Sequence, residues 1–217
     1  MLVRDRMTLN PVTITPEVSV TEALRLMNEK KIRRLPVLDG AGKLAGIVSD
    51  RDLLLASPSP ATSLAIWEIH DLLAKLTVEK TMTRQVITVS EDTPLEEAAR
   101  VMVDNKIGGL PVMRGGSLVG IISESDLFKT LLELLGGRRP GVRITVSTTG
   151  TKGTLAEVTS AIYQAGGDIV GLGFNEVQGA AAGSPWINTF KVQGVARDRL
   201  VEAMRPHVLE ILDVRES

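Results

Sequence analysis

The 217-residue chain has no cysteine and only two histidines, His70 and His207. The first absence excludes disulfides, thiolate metal ligands and a cysteine nucleophile together. The second leaves a histidine metal site or a serine triad short of members. No segment reaches the roughly 18 uninterrupted apolar residues of a membrane span, and Arg4, Asp5 and Arg6 interrupt any signal-peptide core at the start, so a cytoplasmic protein is expected. Charge of one sign is missing too. With 25 Lys+Arg against 26 Asp+Glu, nothing gathers nucleic acid or an anionic membrane. Aromatics are 3% of the chain although hydrophobic residues make up 43%, enough for a core but little for stacking on a base. Neither a metal site nor a catalytic set is expected.

What the chain does contain is a repeat. Val3 to Thr8 reappears as Val78 to Thr83, Val12 to Ile14 as Ile87 to Val89, Glu22 to Met27 as Glu97 to Met102, and Leu35-Pro36-Val37 as Leu110-Pro111-Val112, all at an offset of 75. One residue is then dropped in a turn, and Leu44 to Leu53 matches Leu118 to Leu127 at an offset of 74. Each copy reads as βαββα. A short strand (Val12 to Ile14) precedes a helix with Val20, Ala23, Leu24 and Met27 at helical spacing. Ser19 with Glu22, and in the second copy Thr93, Pro94 and Glu96, form capping-box patterns. Strands Leu35 to Leu38 and Leu44 to Val48 flank the turn Asp39-Gly40-Ala41-Gly42, and a second helix begins near Ser49. A unit of about 50 residues buries too little surface alone, so the two copies form one pseudo-symmetric module. Between them, Ser57-Pro58-Ser59-Pro60 breaks the chain before an amphipathic helix from Leu64 to Leu76 that carries Trp67 and His70.

Ser49 and Asp52 lie where a strand ends and a helix starts, as do Ser123 and Asp126. Free N–H groups and the positive end of the helix dipole suit a phosphate there, and the serine adds a hydroxyl. The aspartate can accept hydrogen bonds from two ribose hydroxyls. Gly46 permits close backbone approach. The same Ser-x-x-Asp spacing is also an ordinary helix cap, and the two roles are compatible. Arg33 and Arg34 suit bidentate phosphate contacts or form a solvated pair; Gly108 and Gly109 replace them in the second copy. The chain has few aromatics to stack on a base, and Val12, Ile14, Pro36 and Val37 offer aliphatic walls instead. Met27 and Met102 are read as core.

The doubled pattern of an initial h-x-T-h strand (h, apolar), a central Leu-Pro-Val and a terminal Gly-h-h-Ser-x-x-Asp covers about residues 1 to 135. It resembles the tandem CBS-domain pair, or Bateman module. The resemblance implies clefts for an adenosine-containing ligand, of the AMP, ADP, ATP or S-adenosylmethionine type, and assembly as a homodimer. Carried over by position, it points to Val12, Thr13, Arg33, Arg34, Pro36, Val37, Ser49, Arg51 and Asp52 in the first copy. In the second it points to Ile87, Thr88, Pro111, Val112, Ser123, Ser125 and Asp126.

After Gly136 to Gly141 the pattern changes to βαββαβ, a ferredoxin-like order: strands Val142 to Ser147, Asp168 to Phe174, Trp186 to Val192 and Leu209 to Val214, with helices from Thr154 and from Arg197. A Gly/Ala-rich loop runs from Gln178 to Ser184. Gly153 to Ile162 with Ala165 to Ile169 resembles an ACT domain, a family that often binds amino acids. The resemblance places such a ligand at Lys152, Gly153 and Thr154, although the family's acidic loop residue is Gly150 here. The expected division is therefore CBS repeat 1 (1–56), linker helix (57–77), CBS repeat 2 (78–135), linker (136–141) and ACT-like domain (142–217), an α+β chain throughout. Leu24 to Arg33, Ser49 to Asp52 and Ala56 to Ser59 extend the resemblance to acetoin utilization proteins. The expected function is a non-enzymatic regulator that senses an adenosine ligand and signals to a client protein. A dimerisation adaptor with vestigial sites is the alternative. A small enzyme using a nucleotide or amino acid, with Asp50, Asp52, Glu124 and Asp126 as its carboxylates, is the third reading.

Overall fold

The computed structural model describes residues 1–56, 75–176 and 185–216. The expected linker helix with Trp67 and His70, up to residue 74, and the loop Gln178 to Ser184 lie outside the described residues. The chain divides into two compact units, Met1–Leu127 and Phe128–Ser217.

In the first unit, β1 (Thr8–Leu9) is followed by α1 (Val20–Lys30), the hairpin β2 (Arg34–Leu38) and β3 (Leu44–Ser49), and α2 (Asp50–Leu55). The second repeat has β4 (Val89–Ser90), α3 (Leu95–Asn105), β5 (Gly109–Arg114), β6 (Ser117–Ser123) and α4 (Glu124–Leu134), which runs on into the second unit. Helix α1 starts because Ser19 Oγ accepts from the Glu22 N–H at 3.2 Å. It buries Val20, Ala23 and Met27, three and four residues apart, and α3 buries Leu95, Ala98 and Met102 in the same register. The β2–β3 turn is held by Asp39, whose Oδ1 accepts from the N–H groups of Ala41 and Lys43.

Two local expectations are corrected. Val12 to Ile14 is not a strand; Ile14 alone bridges to Val37 in parallel, its N–H donating to Pro36 O and its carbonyl accepting from Leu38 N–H. Thr93 does not cap α3, because Pro94 takes the N-cap position and no side chain accepts there. The Leu95 N–H donates instead to the Met1 carbonyl.

That bond belongs to an exchange of leading segments between the repeats. Val3 and Met7, in the segment that opens repeat 1, are buried in the core of repeat 2 with Val112 and Ile122. Val78 and Met82, in the segment that opens repeat 2, are buried in the core of repeat 1 with Val37 and Val48. The backbone contacts obey the same symmetry: Val3 N–H donates to Thr93 O at 2.8 Å, and Val78 N–H to Val18 O at 2.8 Å. Strand β1 pairs with β6 through Thr8↔Ile121, and Ile47 bridges to Thr83. Gly46 and Gly120 are thereby explained. A Cβ on Gly46 would lie 2.6 Å from Met82 Sδ and 3.1 Å from Thr83 O, and one on Gly120 would lie 2.5 Å from Met7 Sδ and 3.1 Å from Thr8 O. The close approach at Gly46 is that of the other repeat's leading segment, not of a ligand.

The second unit holds β7 (Val142–Thr148), α5 (Thr154–Gln164), β8 (Asp168–Glu176), β9 (Trp186–Gln193), α6 (Arg197–Met204) and β10 (Glu210–Glu216). Its antiparallel sheet has the order β10-β7-β9-β8, the ferredoxin-like arrangement expected of βαββαβ. Ile144, Val146, Phe190 and Val192 of the sheet close against Val158 and Ile162 of α5 and Leu200 and Met204 of α6. The opposite face is approached at β8, where Gly171 meets the backbone of Leu135 and Gly136 with no room for a Cβ.

Candidate functional site

The first unit contains a cleft of about 430 Å³ lined by residues of both repeats. The first repeat supplies the β3–α2 junction, Ser49 to Asp52, with Arg33 and Arg34 at the start of β2. The second supplies Ile87, Pro111, Gly108 and Gly109 from the segment before β4 and from the β5 region. Thr83, Gln85 and Val86, which follow the exchanged leading segment, complete the wall beside Ile47 and Ile107.

Ser49 and Asp52 form a full capping box. Ser49 Oγ accepts from the Asp52 N–H at 3.2 Å, and Asp52 Oδ2 accepts from the Ser49 N–H at 2.9 Å and from the Ser49 hydroxyl at 2.6 Å. The cap is therefore made, while both residues line the cleft. The second pair repeats it, with Asp126 Oδ2 accepting from the Ser123 N–H at 3.0 Å and the Ser123 hydroxyl at 2.7 Å. Arg33 of the first repeat reaches the turn between this second pair, its Nη2 donating to Ser125 Oγ at 3.2 Å.

Arg34 crosses between the repeats. Its guanidinium and the Glu124 carboxylate lie against Gly108, and its Cδ and Nε against Gly109, so a Cβ on either glycine would meet it. The loss of two arginines at Gly108 and Gly109 is the room that Arg34 occupies. Burial pushes the Arg34 guanidinium below its ordinary value, with Arg33 acting in the same direction, while Glu124, Asp50 and Asp52 oppose the shift. It stays charged.

Of the other expected site residues, Ile87 and Pro111 face the cleft of Ser49. Arg51 lies on its rim, exposed. Thr88 is exposed and outside its lining. Val37 and Val112 are fully buried in the two cores, and Ile14 is 7% exposed in the first, so all three serve packing rather than this cleft. Val12 and Thr13 are half-buried and Pro36 buried, also outside its walls. The cleft thus combines the Ser/Asp pair of one repeat with the apolar residues of the other, and not residues of one copy alone. Gln85 and Lys106 were not anticipated. A signal for Lys106 was available in the repeat, since Lys31 and Lys106 both follow a helix end; both are left-handed C-caps with φ 54°.

In the second unit, Gly153 is the N-cap of α5 with φ 94°, and the hydroxyls of Thr149, Thr151 and Thr154 stand within 2.9–3.2 Å of one another. Lys152 is exposed. Gly150 has φ 68° and no room for a side chain, because the Trp186 indole, tilted against Phe174 at 4.3 Å, fills that space. The missing acidic residue thus has a packing counterpart. Among the described residues no group of three or more His, Asp or Glu side chains is placed to hold a metal ion, and no helix is long and apolar enough to cross a membrane.

Two repeats with exchanged leading segments and a Ser/Asp-capped junction opening on a shared cleft define a paired-repeat module. The model of the CBS domain matches residues 3–59 and 77–133, more than half of the chain, and the chain belongs to the CBS-domain family. It is similar to the CBS domain pair of protein MJ0100, solved in complex with 5-methylthioadenosine and S-adenosyl-L-methionine, with 31% identity, a TM-score of 0.51, and coverage of 64% of this chain and 98% of that one. A Vibrio cholerae protein provisionally described as an acetoin utilization protein (AcuB) is 35% identical with a TM-score of 0.53, covering 64% of this chain and 95% of its own. CBSX2, solved in complex with AMP, is 35% identical with a TM-score of 0.50, over 60% of this chain and 96% of that chain.

Proposed function

We propose that the protein is a non-enzymatic cytoplasmic regulator that binds an adenosine-containing ligand in the cleft between its CBS repeats. The observation that carries this reading is the cleft itself, in which the Ser49/Asp52 junction of one repeat faces Ile87 and Pro111 of the other. A ribose has an acceptor in Asp52, and an adenine has aliphatic walls instead of aromatic ones. The ligands of MJ0100 and CBSX2 are adenosine compounds, which supports the same ligand class here. The cleft joins two repeats that hold each other's leading segments, so a ligand that favours one arrangement shifts their relation, provided that its affinity differs between the two. The C-terminal βαββαβ unit, read as an ACT domain, passes that shift to a client protein within a homodimer and takes an amino acid at Lys152, Gly153 and Thr154. The likeness to AcuB supports a place in acetoin utilization or related carbon metabolism. A second reading, a dimerisation adaptor with vestigial sites, is favoured by one observation: the Ser49 N–H and hydroxyl already occupy Asp52 Oδ2.

A thermal-shift panel of AMP, ADP, ATP, S-adenosylmethionine and amino acids separates the two. A true ligand at 100 times its dissociation constant stabilises by about 2.7 kcal/mol. No shift with any compound leaves the adaptor.

A further inference from the structure

The face of the C-terminal sheet turned away from α5 and α6 concentrates positive charge at one end. Ile144, Phe190, Val192 and Val214 pack toward the helices, so their neighbours Arg143, Lys191 and Arg215 stand on the other face, because side chains alternate along a strand. Register places the three side by side. Arg215 of β10 is opposite Arg143 of β7, and Arg143 is opposite Lys191 of β9. Like charges directly opposite on neighbouring strands are destabilising.

The row is compensated only in part. Asp213 accepts from Arg143 Nη1 at 2.9 Å and from Arg215 Nε at 2.8 Å, and the buried Lys191 donates from Nζ to the Gly141 carbonyl at 3.1 Å. The linker before β7 then adds to the charge. A Cβ on Gly136 would lie 3.0 Å from Lys191 Cγ, and the Gln193 amide donates to Pro140 O at 2.6 Å, so Arg138 and Arg139 are carried past the end of the row. Both are exposed and form no ion pair among the described residues. Five cations thus gather against two carboxylates, Asp213 and Asp168, the latter in register with Gln193. That local excess belongs to a chain with 25 Lys+Arg and 26 Asp+Glu.

We propose that this cationic row is a docking surface for an acidic segment of a partner protein. The side chains of Arg143 and Arg215 are 44% and 72% exposed and have N–H donors beyond those that Asp213 takes; arginine meets a carboxylate with such a fork. Three neighbouring strands span only about 10 Å, the reach of about three extended residues, which suits a short acidic segment. A nucleic acid site neutralises a longer run of phosphates, and the chain as a whole has no positive field to gather one. The inference names the chemistry of the client in the reading above, and it rests on that part of the reading and not on the adenosine ligand.

Fluorescence anisotropy of a labelled peptide of consecutive glutamates, titrated with the full chain and no adenosine compound, tests this at low and at high salt. A labelled single-stranded oligonucleotide of equal charge is titrated beside it. The peptide binds at low salt, and high salt weakens it. Arg138→Ser with Arg139→Ser leaves the melting temperature unchanged, because neither arginine has an ion pair to lose, and weakens the peptide about tenfold. Arg215→Ala weakens it as well. Arg25→Ala with Arg100→Ala, the same loss of charge on helices of the first unit, leaves it within about twofold. No binding at low salt, binding that high salt does not weaken, or an equal loss in the two double variants overturns the proposal. An oligonucleotide bound more tightly than the peptide overturns it in favour of a nucleic acid. With adenosine compounds absent, failure here leaves the adenosine reading standing, and a silent thermal-shift panel leaves this surface standing.

Discussion

The guanidinium of Arg34, in the first CBS repeat, lies across the α-carbon of Gly108 in the second, in the space where a Cβ would stand. The contact ties the start of β2 to the start of β5 and sets Arg34 at the cleft wall. Gly108→Ala collides with the far ends of two flexible side chains, Arg34 and Glu124, rather than with backbone. The arginine can swing aside, so stability is expected to change by less than about 1 kcal/mol, while affinity for a phosphorylated ligand falls. Urea unfolding and titration on the same variant check both. A large loss of stability with unchanged affinity would show that Arg34 is a packing element alone.

The exchange of leading segments is tested at Gly46. A Cβ there is forced against Met82 Sδ and against the backbone at Thr83 O, and such overpacking costs about 1–3 kcal/mol. Because the strained contact is with a residue 36 positions away, Gly46→Ala and Met82→Ala are expected to be non-additive. The double variant should be more stable than the sum of the single effects by at least about 0.5 kcal/mol. Simple additivity in chemical denaturation would mean that the two residues do not press on one another.

Asp52 carries two roles that its variants separate. Asp52→Ala removes the acceptor for the Ser49 N–H and hydroxyl and is expected to destabilise by about 0.5–2 kcal/mol, with weaker binding of any ribose-containing ligand. Asp52→Asn keeps a side-chain oxygen for the cap and restores most of the stability, but not the charge. Unchanged adenosine affinity in Asp52→Ala would reduce the residue to a cap.

Glu91 gives a pH signature. Its side chain is buried and accepts two hydrogen bonds from Arg114, which hold its carboxyl below the ordinary value; burial opposes them, and charge interactions with Arg114 and Arg4 add to the lowering. A depressed carboxyl contributes stability in full above its unfolded value of about 4.3 and loses it as pH falls through the folded value. Arg114→Ala is therefore expected to be less stable than the parent at pH 7. The difference should shrink as the pH drops below the carboxylate range, where Glu91 is protonated in both proteins. Denaturant midpoints at pH 7 and pH 3 measure it, and a pH-independent difference would trace the effect to the arginine's packing.

Much of the fold was legible in the residues because periodicity and capping act over a few positions. Ser19 with Glu22 started a helix as its spacing implied, Asp39 to Gly42 turned the chain, and βαββαβ in the C-terminal unit closed into the expected sheet order. The short opening strand failed, because strand pairing depends on a distant partner, and near Ile14 that partner offers only a single bridge. Thr93 failed as a cap because the Met1 carbonyl, 94 residues from Leu95 along the chain, satisfies the helix's first N–H instead.

Which residues share the cleft was a tertiary matter. The repeat fixed two Ser/Asp pairs, their capping chemistry and the loss of arginines in the second copy, since each is a local choice of residue type. It left open which repeat faces which, because a sequence offset carries no information about exchange. Only packing decided that Val3 and Val78 would cross over, that Arg34 would fill the room left by Gly108, and that Lys106 would join the cations of the other repeat. Each depends on apolar burial and charge accumulated between segments far apart in the chain.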